Sequence, residues 1–153
     1  MTIVLANTDR MEELFNCYQS DDEVVRLRVS NAMRRVKEER LDLILPYIDR
    51  LISEIGALDQ ASAQWTLPKL FEGAENEMSA SQCESAIAIV KRNLAEHPDW
   101  IVLNNSIDYL VRLAIKDKDL SAWMIPHLQR LKKDQRKSVA TRATKALARL
   151  GSE

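Results

Sequence analysis

The sequence predicts an all-α chain, a right-handed α-α superhelix (an alpha solenoid) of about four helix pairs. Three observations carry this expectation. An apolar stripe at offsets 0, 4, 7, 8 and 11 occurs four times, with starts 38, 39 and 37 residues apart. Those offsets fall on one face at 3.6 residues per turn. A second apolar run at three- and four-residue spacing precedes each stripe, and no segment alternates as a strand does. A period near 40 with helical rhythm marks stacked helix pairs, in which no unit can bury its face alone.

Taken in order, residues 9–38 form the first expected pair, through Met11, Leu14, Phe15 and Tyr18, then Val25, Val29, Ala32, Met33 and Val36. Residues 40–74 follow, with Leu41, Ile44, Ile48, Leu51, Ile52 and Ile55, then Ala63, Leu67, Leu70, Phe71 and Ala74. The third pair, 79–116, uses Cys83, Ala86, Ile87, Val90 and Leu94, then Val102, Ser106, Tyr109, Leu110 and Leu113. The fourth, 118–151, uses Leu120, Trp123, Met124, Leu128 and Leu131, then Val139, Ala143, Ala146, Leu147 and Leu150. Together they make eight helices in a single domain spanning 1–153.

Start and stop signals agree with that division. Ser20 with Glu23 and Ser81 with Glu84 fit Ser-x-x-Glu capping boxes, and Asp9 with Glu12 is a weaker version. Gly56, Gly73 and Gly151 stand where stripes end, as expected for the left-handed residue that closes a helix. Pro98 suits a first helical turn. Pro68 falls inside the second stripe, which predicts a kink or a late start there. Residues 73–80, GAENEMSA, read as a long loop. The helix over 99–115 is apolar nearly all round and is expected in the middle of the stack. Residues 135–150 keep Arg136, Lys137, Arg142, Lys145 and Arg149 off the stripe, as suits a terminal unit facing water.

Composition sets the class of partner. With 153 residues, 46% hydrophobic and 29% charged, the chain has the material for a core and a hydrated surface. Its net charge of -1 provides no global attraction to polyanions or anionic membranes. The charge is nevertheless segregated: residues 41–90 carry 2 basic and 8 acidic groups, whereas 128–153 carry 8 and 2. Cys17 and Cys83, apart and beside apolar neighbours, read as reduced core thiols. No signal-peptide pattern and no apolar run near 18 residues is present, which makes the cytoplasm the expected location.

Chemistry finds little purchase. Three glycines cannot build a G-x-G-x-x-G or Walker loop. No G-x-S-x-G elbow or H-E-x-x-H pair occurs. His97 and His127 read as helix-boundary or surface residues, and Asp42 with Asp49 or Glu72 with Glu75 as solvated helix pairs. The expectation is therefore no catalytic residue, no metal site and no cofactor. Trp100 and Trp123 read as core. Trp65 lies about 175° from the centre of its stripe at 100° per residue, and burial is favoured over an exposed anchor.

The residues then resemble a known family. Asp22, Val25, Arg26, Ala32 and Met33 are similar to the second-helix pattern of HEAT repeats, as are Val139, Ala143, Ala146, Leu147 and Leu150. LILPYIDRLI (43–52) is similar to the first-helix pattern, and MIPHLQRL (124–131) echoes it. The second stripe lacks the arginine, and Leu103 and Ala140 hold its place in the third and fourth. The resemblance implies a concave surface that holds another protein. Asn31, Lys69, Asp108 and Lys145 would form one column there at offset 6. Arg34, Glu72, Val111 and Ala148 would form the next at offset 9, and Asn104 is placed with the binding residues. The expected function is a protein-protein interaction module or adaptor for an unknown protein partner, with self-association through the first helix as another arrangement. The alternative is nucleic-acid binding like the HEAT-like DNA alkylation-repair glycosylases, which hold DNA in a basic groove. It is disfavoured because positive charge is confined to the last unit. A lyase or chaperone role toward a prosthetic group lacks any supporting cysteine or carboxylate cluster.

Overall fold

The computed structural model describes residues 10–152, and every regular element among them is helical. In chain order these are α1 (Met11–Asn16), α2 (Glu23–Glu39), α3 (Ile48–Arg50), α4 (Ala61–Ala74), α5 (Ala80–Glu96), α6 (Trp100–Ala114), α7 (Lys118–Leu131) and α8 (Lys137–Arg149). The chain divides into two compact units, Met1–Ala86 and Ile87–Glu153, with the boundary inside α5.

In the first unit, α2 packs along α4. Val29, Met33 and Val36 are buried on one side, and all five stripe residues of α4, Ala63 to Ala74, are buried on the other. Val25 and Ala32 are half-buried. The helix begins at Glu23 because Asp22 caps it, its Oδ1 accepting from the Val24 N–H at 2.9 Å. The expected Ser20–Glu23 box is replaced: Ser20 Oγ accepts from the Asp22 N–H at 3.1 Å. Arg26, the arginine of the repeat pattern, donates to the Ser20 carbonyl at 2.6 Å and to Gln60. Asp9, of the third expected box, lies outside the described residues.

Residues 41–55, expected as one helix, are irregular. Two 3-10 turns (Leu41–Leu43, Leu45–Tyr47) lead into α3, which runs on as a π turn (Leu51–Ile55). Pro46 is the local cause: it lacks an N–H and disfavours α geometry at Leu45. The chain then closes on the wider i→i+5 spacing, the Gly56 N–H donating to the Leu51 carbonyl at 2.8 Å. The inward positions survive this, since Ile44, Ile48, Leu51 and Ile55 are all at most 2% exposed. Against them α1 places Phe15, whose ring stacks on Tyr47 at 4.9 Å and lies 4.4 Å beneath the Arg50 guanidinium. Arg50 pairs with Glu12 at 2.9 Å and Glu54 at 2.6 Å. Tyr18 shares a buried 3.0 Å hydrogen bond with Ser30, and burial pushes its phenol up to about 12.

Five expectations are corrected in and around α4. The late start expected at Pro68 does not occur: α4 starts at Ala61, seven residues before Pro68, and continues past it. Leu67, Leu70 and Phe71 beside that proline are 0% exposed, and their burial outweighs the ~3 kcal/mol that an interior proline costs. Gly73 ends nothing: it sits within α4, where an added Cβ would meet Lys37 Cδ at 2.6 Å. Gly56 is right-handed, with φ −58°. The expected long loop is largely helical, because α4 reaches Ala74, a 3-10 turn covers Glu75–Glu77 and α5 begins at Ala80. The reciprocal capping box there is Ser79 with Gln82, at 2.9 and 3.1 Å, two residues before the expected Ser81–Glu84.

In the second unit, α6 packs on both α7 and α8. Asp99 caps α6 at 2.8 and 3.0 Å, and Asp117 caps α7 at 3.1 Å to two N–H groups. Pro98 thus stands one residue outside the cap, not in the first turn. Val102, Ile107 and Leu110 of α6 are 0% exposed, but Trp100 at its start is 48% exposed and Ile115 beyond its end 51%. Trp100 is therefore not core: as the first residue of the helix it projects past its neighbours. Cys17 is exposed and Cys83 half-buried, so neither is the expected core thiol. α8 buries Val139, Ala143, Ala146 and Leu147. It closes on Gly151 (φ 76°), with Ser152 N–H donating to the Leu147 carbonyl at 2.8 Å and Gly151 N–H to Ala148 at 3.1 Å, a Schellman motif.

Candidate site: a basic groove between α6 and α8

The sequence places apolar residues of α8 on one stripe and leaves a second line at four-residue steps: Lys137, Thr141, Lys145, Arg149. Four-residue steps stack side chains above one another. In the second unit this line borders a groove of about 620 Å³ between α6 and α8. Ile107 and Val111 of α6 and Ala146 of α8 form its floor. Those three are buried to 2% exposure or less, so the aliphatic stems of the lysines and arginines supply much of the accessible apolar wall. Ser138 and Thr141 add hydroxyls.

Among the described residues the one acid in the groove is Asp108, ion-paired with Arg142. Among the described residues, Lys137, Lys145 and Arg149 pair with no carboxylate. The groove therefore presents three uncompensated cations, each exposed, in a row about 18 Å long at 1.5 Å per residue. Such an arrangement attracts anionic groups and holds them by charge-assisted hydrogen bonds.

Of the binding residues expected from sequence, the structure brings together Asp108 and Lys145, across this groove. Asn31 and Arg34, exposed on α2, and Lys69, half-buried on α4, belong to the other unit. Asn104 is only 4% exposed. Its Nδ2 donates to Ser138 Oγ at 3.4 Å, while its Oδ1 has no hydrogen-bond partner. Within the offset-9 column, Val111 is buried. Lys137, Ser138, Thr141, Arg142 and Arg149 were not expected as a site. Their four-residue spacing is visible in the sequence, but the facing position of Asp108 is not.

A second aromatic cluster sits on the same unit. Trp123 on α7 lies with its ring centroid 4.5 Å from that of His127 and takes Lys91 Nζ on its face at 4.6 Å. It is half-buried rather than core, as is Trp65. Burial, then the neighbouring Arg130 charge, lowers the His127 pKa below its usual value. Asp134 accepts from both the Arg136 side chain and its backbone N–H, at 2.8–2.9 Å, which holds its carboxyl down to about 2. Neither cluster gathers three metal-ligating side chains, and no such group occurs among the described residues. No described helix is long and apolar enough to cross a membrane. Comparison with family models, curated proteins and solved structures gives no match for this chain.

Proposed function

We propose that this chain is a protein-binding module, its helix pairs stacked as a HEAT-like α-α superhelix and its second helices presenting the docking surface. The observation that carries the reading is the groove between α6 and α8. It is open and mixed in character, with a buried apolar floor and a rim of exposed Lys137, Thr141, Lys145 and Arg149. Hydroxyls, cations and aliphatic stems in one cleft suit a polypeptide segment, which offers carboxylates, amides and apolar side chains together. The helical scaffold holds these groups at fixed intervals, so register along α8 would select among segments.

The test is capture of partners from an extract of the native cell, using the wild-type chain and a Lys145→Glu/Arg149→Glu variant. Both positions are exposed, so an unchanged circular dichroism spectrum is expected. Proteins retained by the wild type and lost by the variant, then confirmed as purified binary pairs, support the proposal. An identical captured set from both chains overturns it.

A further inference from the structure

The groove carries a narrower preference than protein in general. We infer that its occupant is an acidic helix of a partner protein, with carboxylates repeated four residues apart along one side. This inference rests on the protein-binding reading above.

Three features lead to it. Lys137, Lys145 and Arg149 fall on one line of α8 with no carboxylate partner among the described residues, while Asp108 neutralises only Arg142. The surplus is therefore positive and local. Its spacing is that of a helix: a second helix laid along α8 repeats its own side chains at about 6 Å per four residues, so glutamates at i, i+4, i+8 and i+12 meet Lys137, Thr141, Lys145 and Arg149 in turn. Thr141, the one uncharged member of the line, donates its hydroxyl proton to the carboxylate at its step.

A nucleic acid fits the same cations less well. Among the described residues no aromatic side chain lines the groove, so unstacked bases have no platform there. A duplex also gains affinity only by neutralising many phosphates, and here the row of cations ends after about 18 Å on a chain of net charge -1. A short acidic helix stays within the groove. At physiological salt the Debye length is about 8 Å, and such a ligand senses chiefly the charges beside it.

The experiment uses the full chain and three fluorescein-labelled probes: a helical peptide with glutamates at i, i+4, i+8 and i+12, the same peptide with lysines at those positions, and a 12-base-pair duplex. Fluorescence anisotropy is read at low and at near-physiological salt. The acidic peptide is expected to bind, to weaken as salt rises, and to lose about tenfold in affinity to the Lys145→Glu/Arg149→Glu variant. The lysine peptide is expected not to bind. Equal binding of the acidic and lysine peptides overturns the inference, and so does a duplex that binds more tightly than the acidic peptide. If cellular partners still depend on Lys145 and Arg149 while the acidic peptide fails to bind, the protein-binding reading stands and this inference alone falls.

Discussion

Truncating Leu147 to alanine tests the packing of α8 directly. The side chain is 1% exposed and lies on the face that α8 turns toward α6 and α7. A Leu→Ala change at a closed site removes the transfer free energy of three carbons and leaves a void, together about 3 kcal/mol. For a domain of this size each kcal/mol moves the melting temperature by about 2–4 °C, so a fall of about 6–12 °C is expected. Thermal and urea unfolding, followed by circular dichroism, read it out. Ala148, the next residue, is exposed, and Ala148→Ser should shift stability by no more than about 0.5 kcal/mol. Leu147→Asp should be worse than Leu147→Ala, because it also places a carboxylate in an apolar site. If Leu147→Ala and Ala148→Ser melt together, the assigned face of α8 is wrong.

Three further outcomes follow from local geometry. Asp99→Ala leaves the Ile101 and Val102 N–H groups without their cap and should cost about 1 kcal/mol, measured by urea unfolding; a neutral result would refute the capping role. Asp134 has a folded pKa depressed to about 2, so its contribution to stability is present above the ordinary carboxyl pKa near 3.9 and is lost as pH falls from there toward 2. Asp134→Asn should therefore lose less stability than the wild type between those limits, and matching pH profiles would show that the Arg136 contacts do not persist in solution. Because Trp123 lies against His127, protonation of the imidazole should quench indole emission with a midpoint below 6.5, and His127→Gln should remove that transition while leaving other acid-induced changes in place.

Which features were legible follows from how far each depends on its surroundings. The stripes of α4 and α8 were readable because periodicity alone decides which face is inward: all five stripe positions of α4 are buried, as are Val139, Ala143, Ala146 and Leu147. Helix ends were less readable because competing caps lie within two residues of one another. Asp22 caps α2 in place of Ser20, and Ser79 caps α5 in place of Ser81. The glycines misled for a similar reason. Gly73 needs its missing side chain for the Lys37 stem, an approach between α2 and α4 that no local rule reveals. Trp100 was misread from its apolar neighbours, although its place at the first position of α6 decides its exposure. In the groove, offset 6 of the repeat aligns Asp108 with Lys145, and both stand there. Lys137, Thr141 and Arg149 fall at no shared repeat offset and were not expected, and the pairing of Asp108 with Arg142, 34 residues away, is a tertiary contact.

The π turn at Leu51–Ile55 has an engineering consequence. A ring closed five residues apart holds one residue more than an α turn, so this stretch carries a spare position in an otherwise inward-facing frame. Removing the exposed Ser53 would let the turn close at four while Leu51 and Ile55 each still met the core. A comparable deletion inside α4 or α8 would rotate every downstream apolar side chain by about 100°, out of its socket. Length variation in this chain should be tolerated first at that one wide turn.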